Sequence, residues 1–463
     1  MEDQFKVDML KALGMEPTAD QMKTIELLSA FLTHGNEQGI FILRGYAGTG
    51  KTTLLAALTK VIPRFILLAP TGRAAKVLSG YSGFPASTIH RHIYKISPDE
   101  DGRMRLNRVE NKRSATVFIV DEASMIGNRG DDMTGGEGLL EDLVSYVSQG
   151  KKCRMILVGD VAQLPPVHAE NSPALDFNQV RSLSHHDVML TELKQVVRQK
   201  EAGGILLNAT SLRILIGRQS TVPVLKTSGF QDIFQLPGTD LKEELESNYQ
   251  KYGQDEVLII TRSNKSANQY NQLIRRQLLY MEEEIGSGDR LMVVKNNYYW
   301  LDKESQAGFI ANGDTLEVQR IFSIEEKHGF RFAKAQVKLV DYPDEASLEV
   351  YLLLDTLYSV NPALTTEENR KLWDEVMLQY NGETKLKRRK LVREDPYLNA
   401  LQVKFSYAVT CHKAQGGQWK SVFVDQGFLT EEMQTIAHMR WLYTAFTRAT
   451  EKLYLMNFDP SLF

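Results

Sequence analysis

A glycine-rich stretch near the start of the chain has the residue types and the spacing needed to hold a polyphosphate. Residues 45–52 read Gly-Tyr-Ala-Gly-Thr-Gly-Lys-Thr, which matches the phosphate-loop pattern G-x-x-x-x-G-K-[ST] in full. Its glycines allow backbone N–H groups to converge on phosphate oxygens without Cβ clashes. Lys51 can bring a positive charge to the β- and γ-phosphates, and Thr52 can offer its hydroxyl to Mg²⁺. The pattern therefore predicts a site for a nucleoside triphosphate with Mg²⁺.

Two adjacent carboxylates follow a later apolar run. Val117–Val120 is followed directly by Asp121 and Glu122. We expect Asp121 to hold Mg²⁺ through water and Glu122 to activate the attacking water as a general base. An Asp-Glu pair at the end of a strand is also compatible with a simple strand-end cap. The position of this pair in the chain, at the end of a strand-length run that follows the phosphate loop segment, favours the catalytic interpretation.

Both features require a sheet that presents its loops at one edge. Short apolar runs of strand length alternate with helix-length segments, which is typical of a parallel sheet covered by helices. The functional loops of such a sheet lie at the carboxyl ends of its strands. The predicted strands and helices of this part are Ile40–Leu43, Phe65–Leu68, Val117–Val120, Met155–Val158, Lys51–Lys60 and Gly138–Ser148.

The same alternation returns in the second half of the chain. A strand at Val257–Ile260 precedes a helix from about Ser266 to Leu279, and two further buried strands are predicted at Val422–Val424 and Leu453–Leu455. An insertion from roughly Ser287 to Asn399 separates the two parts of this second α/β domain. It contains short β-like runs at Leu291–Val294, Thr315–Val318 and Ala335–Leu339, and a helix that begins with a capping box from Thr365 to Glu368.

Length, charge and cysteine usage limit the possible classes. A chain of 463 residues exceeds one compact core, which indicates two or three domains. Lys plus Arg is 55 and Asp plus Glu is 58, so the net charge is −3 and any nucleic acid must use a local groove. The two cysteines, Cys153 and Cys411, support neither a disulfide framework nor a zinc cluster, which fits a reducing cytoplasm. The sequence predicts no membrane span and no secretory signal.

Further along, the residues resemble a known family. Gly159–Val167 reads Gly-Asp-Val-Ala-Gln-Leu-Pro-Pro-Val, which resembles the third motif of superfamily 1 helicases. Its Gln-Leu-Pro-Pro-Val ending resembles the 5′-to-3′ branch that contains RecD and Dda. Other segments resemble the remaining motifs in the family's order, so that the resemblance spans residues 17 to 457. These segments are Thr18–Gln21, Ala69–Lys76, Ser87–His90, Gln195–Gln199, Tyr407–Gly416 and Leu442–Ala449.

The resemblance implies an α/β fold with two RecA-like P-loop domains and a small inserted β-barrel-like domain that carries a helical arm. The expected boundaries are 1–192 for the first domain, with a small hairpin insertion at about 95–114, then 193–286 with 400–463 for the second, and 287–399 for the insertion. In this family the two domains close around ATP. Arginines from the second domain or its edge then stabilise the phosphoryl group across the cleft.

The resemblance also implies roles for individual residues. Gln21 would contact adenine, and Gln163 would sense the γ-phosphate. The candidate catalytic residues are Lys51, Asp121, Glu122, Gln163, Arg198 and Arg448, with Thr52 and Asp121 as candidate metal ligands. The candidate nucleotide-binding residues are Gln21, Gly45, Gly48, Thr49, Gly50, Lys51, Thr52, Thr53 and Gly416. The candidate DNA-binding residues are Pro70, Thr71, Arg73, Lys76, Thr88, His90, Thr410, His412 and Lys413.

Three further segments keep two interpretations each. Tyr298-Tyr299-Trp300 could stack on bases, although packing in the core of a small barrel is favoured. Lys385–Lys390 is the densest basic cluster, and a solvated helix face is at least as compatible with it as a nucleic-acid contact. Lys95–Ser114 occupies the position of the family's duplex-splitting hairpin, with Asp101-Gly102 as a plausible turn, but it contains no aromatic residue.

These observations predict an ATP-dependent DNA helicase that moves 5′ to 3′ on single-stranded DNA, with ATP and Mg²⁺ as cofactors. The expected partner is single-stranded DNA or a forked duplex, and the expected state is a cytoplasmic monomer. Two alternatives stay open. One is an RNA helicase, because a related branch shares most of these motifs. The other is an ATP-dependent single-strand binding or remodelling factor with little unwinding, because the hairpin segment has no stacking aromatic.

Overall fold

The computed structural model describes residues 2–33, 38–98, 104–128, 138–167, 169–197, 203–301, 305 and 308–463. Within these ranges, strands and helices form two separate parallel sheets, a closed barrel and a two-stranded hairpin. The predicted class, α/β with two RecA-like sheets and an inserted barrel, is confirmed. None of the helices in these ranges has the length and apolar character needed to cross a bilayer.

The first sheet has six parallel strands in the order β3-β2-β6-β7-β1-β8. They are β1 (Gly39–Gly45), β2 (Phe65–Ala69), β3 (Ala86–Thr88), β6 (Val117–Val120), β7 (Arg154–Gly159) and β8 (Asp187–Leu193). Their helices are α1 (Glu2–Leu13), α2 (Ala19–Thr33), α3 (Lys51–Val61), α4 (Gly72–Ser82), α5 (Ile89–Ile93), α6 (Leu139–Gln149) and α7 (Phe177–Leu183).

Both faces of this sheet are buried because successive side chains of a strand point to opposite sides. In β1, Phe41 and Leu43 pack with helices α1 to α4, whereas Ile40 and Ile42 pack with helices α5 to α7. The continuous apolar runs that predicted these strands follow from this two-sided burial. The carboxyl ends of β1, β2, β6 and β7 consequently lie at one edge of the sheet.

A hairpin extends from the first sheet at the predicted position. Strands β4 (Tyr94–Pro98) and β5 (Met104–Arg108) pair antiparallel. The predicted turn at Asp101-Gly102 lies outside the described residues. The base of the hairpin is fixed on α6, because both Tyr94 and Arg108 donate hydrogen bonds to the carboxylate of Asp142, which is 3% exposed.

The second sheet has five parallel strands in the order β16-β10-β17-β18-β9. They are β9 (Ile233–Gln235), β10 (Val257–Thr261), β16 (Ala408–Thr410), β17 (Trp419–Asp425) and β18 (Ala449–Met456). Their helices are α8 (Gly204–Gly217), α9 (Leu241–Tyr252), α10 (Asn264–Leu273) and α14 (Ile436–Phe446). Helix α10 continues as a π-helix over Ile274–Leu278, which explains the longer predicted helix.

The inserted barrel closes through five strands in the order β11-β12-β13-β14-β15. They are β11 (Arg290–Val293), β12 (Thr315–Lys327), β13 (Phe330–Leu339), β14 (Leu348–Leu353) and β15 (Leu401–Phe405). The arm consists of α11 (Asp355–Tyr358), α12 (Thr366–Gln379) and α13 (Lys385–Arg393), and the capping box of Thr365 and Glu368 is present as predicted. Because β15 completes the barrel, the insertion extends past its expected end at residue 399.

One buried ion pair joins the barrel to the second sheet's helices. Arg275 in the π-helix donates to both carboxylate oxygens of Asp289, at 2.8 and 2.9 Å, just before β11. The two residues are 2% and 0% exposed. Asp289 also accepts hydrogen bonds from Gly286 N and from the hydroxyl of Tyr407. The guanidinium of Arg275 lies 4.3 Å from the ring centre of Phe405 in β15, so the pair contacts both ends of the insertion.

We expect Asp289→Ala to lower the free energy of unfolding by about 3–5 kcal/mol, because it leaves the guanidinium of Arg275 buried without a carboxylate. Urea denaturation followed by circular dichroism would measure the loss. Glu317→Ala is the matched control, since it removes one carboxylate from a half-exposed pair while Arg290 keeps Asp255, and it should cost less than about 1 kcal/mol. An equal, small loss in both variants would contradict the anchoring role of the buried pair.

Candidate functional site

The phosphate loop joins β1 to α3 and has the backbone that its glycines predict. Gly48 and Gly50 have φ values of +73° and +81°, a region that side chains with a Cβ rarely adopt. A Cβ on Gly45 would lie 2.7 Å from the side chain of Lys51. The amino group of Lys51 donates to Tyr46 O at 2.9 Å. The loop is therefore a preformed cradle with a lysine at the start of a helix, as the sequence predicts.

Gln21 in α2 forms a hydrogen bond to the phosphate loop. Its side-chain amide donates to Thr49 O at 3.2 Å, and its other amide atom accepts from Thr18 N at 3.0 Å. Gln21 is 1% exposed, and Thr49 is 0% exposed. The adenine contact expected for Gln21 stays a prediction. Thr52 and Thr53 lie on the first turn of α3 with exposed side chains.

The two carboxylates predicted at the end of β6 lie side by side, with Glu122 in a left-handed turn at φ +50°. The hydroxyl of Tyr81 donates to Asp121 at 2.6 Å, and Glu122 N donates to its other oxygen at 2.8 Å. Burial raises the pKa of Asp121, and the hydrogen bond from Tyr81 opposes this rise. Burial also raises the pKa of Glu122, while the positive charge of Arg448 lowers it. A carboxylate with a raised pKa beside cations has the properties of a general base.

A third carboxylate, Asp160 at the end of β7, faces the same lysine. Asp160 is 1% exposed, and its Oδ2 lies 3.9 Å from the amino group of Lys51. Its other oxygen accepts from Ala162 N, and the hydroxyl of Tyr443 in α14 donates to Oδ2 at 2.6 Å. Three residues after Asp160, Gln163 contributes a hydrogen bond that lowers the pKa of Glu122. Gln163 therefore lies beside the candidate base, as a γ-phosphate sensor requires.

The second sheet contributes Arg448, which follows α14. Arg448 is 3% exposed, and its guanidinium donates to Thr444 O and Gly417 O, each at 3.1 Å. Its positive charge is the largest charged influence on the pKa of Glu122, a carboxylate of the other sheet, and lowers that pKa. Gly416 lies against α4, because a Cβ there would meet Ala74 at 2.9 Å. Arg198, the other predicted arginine, lies outside the described residues.

A cleft of about 590 Å³ runs between the two sheets and the barrel. Its walls include five of the candidate DNA-binding residues, from both sheets, together with barrel residues. The guanidinium of Arg73 stacks on Trp419, 4.2 Å from the ring centre, so the first sheet's arginine rests on the second sheet's indole. The candidate residues of the cleft wall are Thr71, Arg73, Thr410, His412 and Lys413. The cleft has the position and the donors that a single strand requires.

Burial lowers the pKa of two candidates in this cleft. It lowers the pKa of Lys413 to about 8, and it also lowers the pKa of His412, which is therefore neutral at pH 7. Burial, followed by the charge of Lys413, lowers the pKa of the neighbouring Lys404 to about 8. Lys404 donates to Thr356 O and Ser359 O, so it supports the arm while Lys413 faces the cleft.

The other four candidate DNA-binding residues make contacts elsewhere than in the cleft wall. Lys76 donates to Val340 O at 3.2 Å and lies 3.5 Å from Asp341, so it contacts the barrel. Thr88 is 5% exposed and caps α5 by accepting from Arg91 N. The ring of His90 packs against Tyr94 and Phe309. Pro70 is partly buried between β2 and α4.

The aromatic trio and the basic cluster both lie on the insertion. Tyr298 packs on Phe309 at 4.8 Å, and Trp300 donates to Asn399 O, so these two rings are mainly packing residues. Tyr299 is 39% exposed and donates to Glu394 O. The basic cluster is helical, within α13, and its lysines at 387 and 390 pair with glutamates one turn away. The favoured interpretations, packing and a solvated helix face, fit these contacts.

Several residues of the site escaped sequence reasoning. Tyr81 and Tyr443 hold Asp121 and Asp160, and Trp419 supports Arg73. The sequence pattern assigns a tyrosine or tryptophan next to an apolar run to the hydrophobic core. No spacing rule connects such a residue to a carboxylate on another element. Tyr443 lies inside a segment that resembles the sixth helicase motif, and this position was the available signal.

Two family profiles match the chain. Residues 20–230 match the family described as an AAA domain. Residues 405–456 match the family described as a UvrD-like helicase C-terminal domain. The first match covers the phosphate loop, the carboxylates and Gln163, and the second covers Lys413 and Arg448. The two profiles thus fall on the two sheets that meet at the nucleotide site.

Known proteins with similar sequences include two named helicases. The chain is 27% identical over 310 residues to the ATP-dependent DNA helicase dda of Enterobacteria phage T4, covering 64% of each protein. It is 36% identical over 134 residues to the ATP-dependent RecD2 DNA helicase of Deinococcus radiodurans, covering 28% of this chain and 16% of that protein. An uncharacterized protein, R530 of Acanthamoeba polyphaga mimivirus, is 24% identical over 521 residues, covering 94% of this chain and 99% of that protein.

The matches to the two named helicases cover less than two thirds of either protein's length. These matches nevertheless indicate the same family as the phosphate loop, the carboxylates of β6 and the arginine after α14. The chain is similar to helicases of superfamily 1B, in the RecD/Dda-like branch, and it is an ATP-hydrolysing enzyme.

Proposed function

We propose that this enzyme couples ATP hydrolysis to 5′-to-3′ movement along single-stranded DNA, and that this movement separates duplex strands. The observation that supports the proposal is the meeting of two sheets at one carboxylate. Glu122 belongs to the first sheet, and Arg448, whose charge acts on it, belongs to the second. Hydrolysis therefore requires the two sheets to be close, which ties the chemistry to their relative position.

In the proposed reaction, the chain's own groups bind and orient the triphosphate. Lys51 moves from Tyr46 O to the β- and γ-phosphates, and the N–H groups of the phosphate loop donate to the same anion. Glu122 accepts a proton from the attacking water, and Gln163 orients that water. Arg448 stabilises the charge that develops on the transferred phosphoryl group, a contribution of roughly 10³–10⁵ in related phosphoryl transfers.

The residues at the end of β6 and the start of α3 fit Mg²⁺. Thr52 has an exposed hydroxyl beside the phosphate loop, and Asp121 supplies a carboxylate held in place by Tyr81. Both are oxygen ligands, which Mg²⁺ prefers, and few protein ligands suffice because phosphates and water complete its shell. When held there by Thr52 and Asp121, Mg²⁺ would neutralise part of the charge of the triphosphate.

Movement along a strand would follow from the cleft that the two sheets share. Thr71 and Arg73 face it from the first sheet, and Thr410 and Lys413 face it from the second. If ATP binding brings the sheets together and hydrolysis releases them, the two sets of donors shift relative to each other along the strand. The direction, 5′ to 3′, is proposed from the branch to which the chain is similar.

DNA is the proposed track because both named relatives are described as DNA helicases. The RNA alternative is distinguished by comparing ATPase stimulation by DNA and RNA of one sequence, since only a 2′-hydroxyl contact separates the two. We also propose that the enzyme works as a cytoplasmic monomer. Both cysteines are buried free thiols, which fits a reducing compartment.

Lys51→Ala should abolish ATP turnover, because it removes the charge that the phosphate loop brings to the β- and γ-phosphates. Steady-state ATPase with and without single-stranded DNA, at two salt concentrations, measures the effect. In the wild type we expect strong stimulation by DNA that salt weakens. Lys60→Ala, an exposed lysine at the other end of α3, is the control and should keep wild-type turnover. Wild-type turnover that neither DNA nor RNA changes would contradict the motor proposal.

Arg448→Lys should lower turnover by at least about 100-fold while nucleotide affinity stays within about threefold, because the fork of the guanidinium is needed only as charge develops. Fluorescent-nucleotide binding and single-turnover hydrolysis separate the two quantities. A thermal-unfolding midpoint close to that of the wild type shows that the contacts to Gly417 O and Thr444 O were not required for folding. Normal turnover in Arg448→Lys would remove this residue from the catalytic set.

Raising the pH from 7 to 9 should weaken single-stranded DNA binding by up to about tenfold, because Lys413 has a pKa of about 8 and loses its charge over this window. The pKa is lowered from its usual value, so the charged form that binds phosphate is present below pH 8. Fluorescence anisotropy with an oligo(dA) strand, whose bases do not titrate here, measures the change. Lys413→Arg stays charged and should bind equally at both pH values, and Lys404→Arg should keep the wild-type decline. A decline in Lys413→Arg equal to that of the wild type would exclude this lysine as the cause.

A further inference from the structure

We infer that Tyr443 is a positioning residue that couples the phosphate loop to the second sheet through Asp160. The inference rests on the proposed motor function, because it concerns how that motor transmits nucleotide binding. Its basis is a single hydroxyl that touches the first sheet at two points. Ala47 N, in the phosphate loop, donates to the hydroxyl of Tyr443 at 2.7 Å, and the same hydroxyl donates to Asp160 at 2.6 Å.

The hydroxyl of Tyr443 is buried away from solvent. Tyr443 and Asp160 are each 1% exposed, so both bonds are made in a region of low polarity where hydrogen bonds to a charged group are strong. Burial raises the pKa of Tyr443, so the phenol keeps its proton and stays a donor. A tyrosine that only filled the core would not require a hydroxyl, and a buried hydroxyl without partners would be costly.

Asp160 connects this hydroxyl to the lysine of the phosphate loop. Lys51 lies 3.9 Å from Asp160, and its amino group also donates to Tyr46 O. When Lys51 turns to a phosphate, Asp160 loses the nearest positive charge but keeps hydrogen bonds from Tyr443 and Ala162 N. Tyr443 thereby allows the lysine to leave a buried carboxylate, because the carboxylate remains solvated by the second sheet's phenol.

Helix α14 carries the effect to the rest of the second sheet's site. Besides Tyr443, Thr444 accepts from Leu164 N at 2.8 Å, and Arg440 donates to Val161 O at 3.1 Å. All three residues bind the loop that follows β7. Arg448 stands just past the end of the same helix. A shift of Asp160 on phosphate binding is therefore passed to the helix that positions Arg448. Among the hydrogen bonds of these three residues, that of Tyr443 includes the phosphate loop itself.

Tyr443→Phe tests the inference, because it keeps the ring and removes both hydrogen bonds. We expect the DNA-stimulated kcat to fall by roughly 10- to 100-fold while the dissociation constant for a fluorescent ADP stays within about threefold. We also expect the change in single-stranded DNA affinity on adding a non-hydrolysable ATP analogue to fall to less than about twofold. A residue with a purely structural role would lower the thermal-unfolding midpoint without separating these quantities.

Two further variants sharpen the result. Tyr380→Phe removes the hydroxyl of a tyrosine in the arm from another buried carboxylate, Asp395, and should keep both kcat and the nucleotide-dependent change in DNA affinity. If Tyr443 acts through Asp160, the double variant Tyr443→Phe/Asp160→Asn should be no slower than Asp160→Asn alone. If Tyr443→Phe folds poorly, Asp160→Asn carries the test, with the same separation of kcat from nucleotide affinity.

The outcomes distinguish the inference from the proposed function. A wild-type enzyme without DNA-stimulated turnover would refute the motor itself. A stimulated wild type with an unchanged Tyr443→Phe variant would refute the coupling role and leave the motor intact. An equal loss in kcat and in nucleotide affinity would make Tyr443 a binding residue, and multiplicative losses in the double variant would show that it does not act through Asp160.

Discussion

The placement of five charged groups, buried or half-buried, between two sheets is the constraint on which the rest of this structure depends. Carboxylates at the ends of β6 and β7 face Lys51 from the first sheet and Arg448 from the second, in a region where burial raises the pKa of each carboxylate. Isolated charges in such a place are unfavourable unless they are paired or hydrogen-bonded. The carboxylate hydrogen bonds of Tyr81, Gln163 and Tyr443 meet this requirement.

The same constraint explains why two domains are needed. One parallel sheet can present a phosphate loop and carboxylates at its carboxyl edge, but it leaves that edge open to water. The second sheet covers the edge and brings a cation, and in doing so it forms the cleft that holds the candidate strand-binding residues. The nucleotide site and the proposed strand-binding cleft thus share one interface, so that a change in the geometry of one alters that of the other. The barrel completes the cleft, and the buried pair of Arg275 and Asp289 fixes it to the second sheet.

Features carried by local backbone chemistry were predictable from the sequence. The glycines of the phosphate loop, the strand before Asp121 and the capping box at Thr365 each follow from rules that act over a few residues. Contacts between distant elements were not predictable in this way. The lysine at position 76 has the residue type of a strand contact, yet Asp341 of the barrel is its neighbour. The barrel's closing strand, β15, was assigned to the second domain because a short buried strand does not indicate which sheet it joins.

The hairpin shows how the proposed strand separation can work without a stacking aromatic. Residues 95–114 contain no aromatic side chain. When a base pair at the fork opens, no aromatic ring of this segment can therefore replace the base stacking that is lost. A rigid obstacle is sufficient when a motor pulls one strand past it, because the excluded strand must leave the duplex. The rigidity lies at the base, where Tyr94 and Arg108, one on each strand, donate to Asp142 of α6. Since α6 packs on the same sheet that carries the phosphate loop, the obstacle is held by the unit that binds ATP, and the force of each closure is applied directly against it.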